Sequence, residues 1–172
     1  IPEGRCILAV TEGPPATSRP AMDRSGSHLA IGFADGYCQL FSLETRKLLA
    51  AFPAHKSFCY ACDFSPKGDL LLTAGFDGLV RLWATQTQRL LREFRSSADA
   101  YWSVAFSPDG KRIAAGTGES TIVMWDAING KEVAWLDLGE PLGPVEGQLR
   151  FSPDGSSLVL CGANRWRVWS TR

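Results

Sequence analysis

The sequence has no excess charge of either sign, since its 18 basic and 18 acidic side chains cancel. That balance gives no electrostatic reason to expect nucleic acid or an anionic membrane as a partner. Two histidines are too few for a zinc cluster and leave little choice of general base. No apolar run approaches the ~18 residues of a membrane-spanning helix. The start, Ile1-Pro2-Glu3-Gly4-Arg5, has neither an initiator Met nor a basic-then-apolar leader pattern. It reads as processed, or as cut from something longer. A Gly-x-Ser-x-Gly elbow, a phosphate-binding loop and a dinucleotide fingerprint are also missing. No catalysis, no cofactor and no metal are therefore expected of this segment. Five cysteines, an odd number without paired zinc spacing, point to reduced thiols in an intracellular, cytoplasmic setting.

What the sequence does have is repetition. Phe64-Ser65-Pro66-Lys67-Gly68, Phe106-Ser107-Pro108-Asp109-Gly110 and Phe151-Ser152-Pro153-Asp154-Gly155 recur at spacings of 42 and 45 residues. A step of 42 back from Phe64 reaches Met22-Asp23-Arg24-Ser25-Gly26, a degraded fourth copy. Such a period means a repeat architecture. The apolar runs are too short for helices and are parted by Gly, Asp, Asn and Ser-Pro turns, so they read as strands. In the second copy strands are expected over 58–64, 70–75, 79–84 and 89–95, with turns at 65–69, 76–78 and 85–88. Sheets this small must stack face to face to bury an apolar face.

The repeated segments resemble the WD-repeat β-propellers, in which each four-stranded antiparallel sheet is one blade around a central channel. Trp125-Asp126 is the literal dipeptide, with Phe41-Ser42, Trp83-Ala84 and Trp169-Ser170 as its weakened equivalents. The family's turn Asp matches Asp35 and Asp77, becomes Glu119 in the third copy and Asn164 in the fourth. Its Gly-His survives only as Ala54-His55. The resemblance thus implies one complete hydrogen-bond relay, made of His55, Thr73, Asp77 and Trp83. It also implies an all-β chain dividing as 1–13 (fourth strand of a preceding or closing blade), 14–54, 55–96, 97–139 and 140–172 (three strands). Nothing suggests the wedge-shaped blades that a closed four-blade ring, turning about 90° per blade, would need. Part of a larger propeller, or half of an eight-bladed ring made by two chains, is favoured. Prolines 14, 15 and 20 should leave the first strand of the first blade short or irregular.

In this family partner-binding side chains project from the top face. Mapped residue by residue, the resemblance places Phe58, Tyr60 and Phe76 there in the second blade and Ala100, Trp102 and Gly118 in the third. The first blade offers Ala16, Ser18 and Ala34, and the fourth Val145 and Gly147. One side is aromatic and the other small, and exposed aromatic residues are enriched at binding hot spots. The expected function is a non-catalytic protein-interaction scaffold binding a protein or peptide through Phe58, Tyr60, Phe76 and Trp102. Self-association or packing against further blades is a second kind of contact. The alternative is a regulatory or ligand-sensing module attached to a catalytic domain outside this chain.

Other candidates have plainer readings. Cys59-Tyr60-Ala61-Cys62 matches a redox motif, but residues three apart on a strand should point to opposite faces, so the thiols are expected to diverge. Asp109 and Asp154 are read as turn formers rather than calcium ligands. Arg165-Trp166-Arg167 is read as a solvated outer strand, and His28 as an exposed residue beside a turn.

Overall fold

The computed structural model describes residues 13–118, 121–137, 147–161 and 166–171. Every regular element in them is a strand, and the strands fall into four sets. Blade 1 holds β1 (Ala21–Met22), β2 (His28–Gly32), β3 (Tyr37–Ser42) and β4 (Lys47–Pro53). Blade 2 holds β5 (Cys59–Phe64), β6 (Leu70–Gly75), β7 (Val80–Ala84) and β8 (Leu90–Phe94). Blade 3 holds β9 (Tyr101–Phe106), β10 (Arg112–Thr117), β11 (Thr121–Asp126) and β12 (Glu132–Asp137). The described part of blade 4 holds β13 (Gln148–Phe151), β14 (Ser157–Cys161) and β15 (Trp166–Ser170). Each set is one antiparallel meander in chain order. Of residues 1–13, expected as the fourth strand of a preceding or closing blade, all but Gly13 lie outside the described residues.

Local chemistry makes the meanders. In the turn between β5 and β6 the Gly68 N–H donates to the Ser65 carbonyl at 2.9 Å, and Ser65 Oγ accepts the Leu70 N–H at 3.0 Å. Ser107 and Ser152 serve Arg112 and Ser157 in the same way. Blade 1 has Asp23 at that position, and its Oδ1 takes the N–H groups of Ser27 and His28 at 2.8 and 3.0 Å. The degraded copy still turns because a carboxylate replaces the hydroxyl. Asp109 and Asp154 accept the Ser107 and Ser152 hydroxyls, each at 2.6 Å, within their own turns. β1 is only two residues long, preceded by a single bridge between Ala16 and Phe33. The prolines around it remove ladder donors.

Alternate residues on each sheet face the next sheet, so the core lies between blades. Ala30, Cys38, Leu40 and Phe52 of blade 1 pack on Phe64, Leu71 and Trp83 of blade 2. Leu72, Val80, Leu82 and Phe94 of blade 2 pack on Val104, Ile113, Val123 and Trp125 of blade 3. Ala114, Ile122 and Met124 then meet Leu149, Leu158 and Leu160 of blade 4. On the far face of blade 4, Trp166 is 70% and Val168 53% exposed.

One carboxylate ties three blades together. Asp63 of β5 accepts the Phe106 N–H of β9 at 2.8 Å and stands 3.2 Å from the Arg150 guanidinium of β13. Burial pushes its pKa up to about 6, because loss of hydration outweighs both the Phe106 hydrogen bond and the Arg150 charge.

Two sequence expectations are corrected. His28 is half-buried and engaged, its Nδ1 lying 3.0 Å from Asp23 Oδ2. Burial raises the Asp23 carboxyl, but the bonds to His28, Ser25 and Ser27 outweigh it and bring the pKa down to about 2. The thiols of Cys59 and Cys62 do not diverge: both enter the cluster between blades 1 and 2. The register of β5 against β6 slips between Cys59 and Ala61, and this bulge absorbs one residue. Positions three apart therefore fall on one face.

Candidate functional site

The end of the blades where β5 and β9 begin is built from two bulges. Cys59 pairs with Gly75 and Ala61 with Ala74, which leaves Tyr60 unpaired. In blade 3, Ser103 pairs with Gly116 and Tyr101 with Thr117, which leaves Trp102 unpaired. These extra residues, 42 apart, are freed from the alternation of their strands, and bulges re-aim side chains in this manner. The two rings stack across the blades with centroids 4.3 Å apart. Phe58 also stacks on Tyr60 at 5.5 Å, its plane within 11° of parallel. Phe76 meets Tyr60 and Trp102 edge-on, at 6.1 and 6.3 Å. A backbone bond, Phe76 N–H to the Phe58 carbonyl at 3.1 Å, holds those two residues side by side.

The structure thus brings Phe58, Tyr60, Phe76 and Trp102 into one contiguous aromatic platform, with Phe58 38% and Phe76 50% exposed. The Trp102 indole N–H is buried close against Gly118, with no acceptor among the described residues. Ser18 is turned inward, where its Oγ accepts the Gly32 N–H at 2.6 Å, and Ala100 is buried. Val145 lies outside the described residues.

Beneath the platform runs a buried polar chain. Trp83 Nε1 donates to Thr73 Oγ1 at 3.0 Å, and Thr73 Oγ1 lies 2.8 Å from His55 Nε2. His55 Nδ1 lies 2.8 Å from Asp77 Oδ1. An indole N–H can only donate, so the direction that leaves every donor an acceptor has Thr73 donating to Nε2 and Nδ1–H donating to Asp77. Arg81 joins the chain: its guanidinium donates to Asp77 Oδ2 at 2.7 Å, to the Ala54 carbonyl at 2.8 Å and to Glu93 at 2.7 Å. Burial acts to raise the Asp77 carboxyl, but the bonds from His55 and Arg81 outweigh it and hold its pKa well below the usual carboxylate range. Asp77 follows Phe76 directly and also takes the Lys56 N–H at 3.2 Å, so the chain anchors the backbone on both sides of the platform. Asp35, the blade 1 counterpart, is exposed and accepts the Tyr37 N–H at 3.0 Å. Glu119 lies outside the described residues.

Inward of the platform, β5, β9, β13 and the segment just before β1 line a cavity of about 270 Å³, with Thr17, Tyr60, Cys62, Trp102, Gln148 and Arg150 in its wall. Among the described residues no group of three or more His, Cys, Asp or Glu is arranged to hold a metal ion.

The family model described as "WD domain, G-beta repeat" matches residues 46–84 and 88–126. A solved structure, that of the computationally designed Ika4 protein, superposes with a TM-score of 0.77 and 22% identity, covering 97% of this chain and 98% of that one. At that identity the likeness shows the fold alone. The chain carries two adjacent WD repeats on a β-propeller fold. No curated protein sequence matches it. WD repeats generally mediate protein–protein interaction, and the family is generally non-catalytic. Each matched window runs from the outer strand of one blade through the three inner strands of the next. The WD repeat is therefore offset from the blade, and the chain itself joins neighbouring sheets.

Sequence reasoning missed Arg81 and Glu93. The signal available for Arg81 was its place four residues after Asp77, which returns the chain across a tight turn to the same side of the sheet.

Proposed function

We propose that this WD-repeat chain is a non-catalytic interaction scaffold whose docking surface is the platform of Phe58, Tyr60, Phe76 and Trp102. The observation that carries the reading is the convergence of four rings from two blades into one partly exposed apolar surface. Rings already packed against one another lose little rotamer freedom on binding, and Tyr and Trp combine large contact area with a polar tip. A peptide or loop of a partner protein gains burial there. The site residues include no Lys or Arg, so binding is weakly dependent on salt. The neutral balance of the whole chain supports a protein partner over nucleic acid or membrane. We place the protein inside the cell, on its unpaired thiols.

The test is capture of partners from the source cell by wild type, by a Tyr60→Ala/Trp102→Ala variant and by a Leu90→Ala/Leu91→Ala variant of the exposed outer strand β8. Loss of specific partners from the first variant but not the second supports the platform. Equal recovery by all three, with every variant folded, refutes it.

A further inference from the structure

Three cysteines meet where blade 1 packs on blade 2: Cys38 of β3 and Cys59 and Cys62 of β5. Cys38 Sγ and Cys62 Sγ stand 3.9 Å apart, with the Ser18 hydroxyl 4.0 Å from Cys62 Sγ. Cys59 interacts with both of the other thiols. The three differ in access. Cys38 and Cys59 are completely enclosed, whereas Cys62 lies in the wall of the central cavity and retains 9% of its surface.

They differ in acidity as well. Interactions with the Cys38 and Cys59 thiols, aided by Ser18, outweigh burial at Cys62 and favour its thiolate. Cys59 is pushed up by its interactions with Cys38 and Cys62, and Cys38 is raised as well. A thiolate-biased cysteine in a cavity wall, 3.9 Å from a protonated thiol, is the arrangement of an oxidisable and a resolving cysteine.

We propose that Cys62 and Cys38 are a dithiol modification site for a small hydroperoxide that enters the central cavity. The Cys62 thiolate attacks the peroxide: a sulfur–oxygen bond forms, the oxygen–oxygen bond breaks, and sulfenic acid and hydroxide result when the peroxide is hydrogen peroxide. The Cys38 sulfur then displaces the sulfenic oxygen, which leaves as water with the Cys38 proton. The sum is two thiols and one hydrogen peroxide giving one disulfide and two waters.

Cys38 is the resolving residue because Cys59 cannot be. Cys59 and Cys62 lie on one strand, where a rise of about 3.3 Å per residue holds their Cα atoms near 10 Å apart, shortened somewhat by the bulge, against the roughly 4.4–6.8 Å of a disulfide. Cys38 approaches from the neighbouring sheet with no such restraint. The product staples blade 1 to blade 2.

The experiment is exposure of the full chain to a small excess of hydrogen peroxide at neutral pH, alkylation of remaining thiols under denaturing conditions, and peptide mass spectrometry. The expected result is a Cys38–Cys62 cross-link assigned by fragmentation, with Tm raised by about 5 °C and restored by dithiothreitol. The cross-link persists in a Cys59→Ala variant. In a Cys38→Ala variant a sulfenic acid at Cys62 is trapped by dimedone. Recovery of Cys38 and Cys62 as free thiols at a dose that fully oxidises the exposed Cys161 overturns the proposal, as does a disulfide that uses Cys59 in wild type. The wild-type measurement decides the matter even if a variant fails to fold.

Discussion

Replacing Asp77 with Ala withdraws the acceptor from three donors of unequal weight. The Lys56 N–H is exposed and passes to water. The His55 side chain is fully buried; without Asp77 its Nδ1 can only accept from the Arg81 guanidinium 2.9 Å away, and the proton moved to Nε2 then leaves the buried Thr73 hydroxyl without its acceptor. Arg81 loses the carboxylate but keeps Glu93 and the Ala54 carbonyl. A buried donor left unpaired costs about 1–3 kcal/mol, and removal of one member of a buried ion pair about 3–5 kcal/mol. Because Arg81 retains two acceptors the lower part of that range applies, and about 3 kcal/mol is expected for Asp77→Ala. Asp77→Asn keeps an acceptor for His55 and should cost about half as much. Asp35→Ala, at the exposed counterpart in blade 1, should stay within about 0.5 kcal/mol.

Urea unfolding followed by tryptophan fluorescence measures all three. The sign with pH follows from the depressed carboxyl of Asp77. Its stabilisation is present above the unfolded value of 3.8 and is lost as pH falls toward the lower folded value, so the deficit of Asp77→Ala shrinks in acid. Equal costs for Asp77→Ala and Asp35→Ala, or a deficit that does not change on acidification, would refute the reasoning.

Two further outcomes test other parts of the structure. Asp63 carries the opposite linkage: its folded pKa of about 6 lies above the unfolded 3.8, so its stabilisation is full below 3.8 and is lost as pH rises to about 6. The gap corresponds to about 3 kcal/mol, and Asp63→Asn should flatten Tm between about pH 4 and 7; parallel curves for the two proteins would contradict it. Gly36 has φ 85° and a Cβ there would lie 2.2 Å from the His55 carbonyl, whereas Gly26 has φ 73° and open space around it. Gly36→Ala should therefore lower Tm far more than Gly26→Ala, which bears only the backbone strain of about 1 kcal/mol; equal melting curves would count against the close approach.

Strand positions were readable from the sequence because the turn motif marks each copy, and the expected strands of blade 2 differ from the observed ones only at their ends. The positions of Phe58, Tyr60, Phe76 and Trp102 followed from the repeat offset and the family pattern. The stacking of Tyr60 on Trp102 did not, because it depends on two bulges that no residue type announces. The same bulge defeated the simple alternation argument for Cys59 and Cys62. Asp63 carries no mark in the sequence, since its acceptor role toward Phe106 and its pairing with Arg150 arise only when three blades are set side by side. Contacts within a repeat repeat with the sequence; contacts between unlike side chains of different repeats do not.

The far face of blade 4 also bears on how the array comes apart. Blades 2 and 3 are packed on both faces, while Val168 and Trp166 of blade 4 are largely exposed. In a stack held by nearest-neighbour interfaces, opening the end unit breaks one interface and opening an internal unit breaks two. Amide protection should then fall along the chain from β9 to β15, so that blade 4 exchanges with solvent through openings too small to disturb the platform or the relay. Loosening at one end of the molecule is in this way insulated from the surface at its middle.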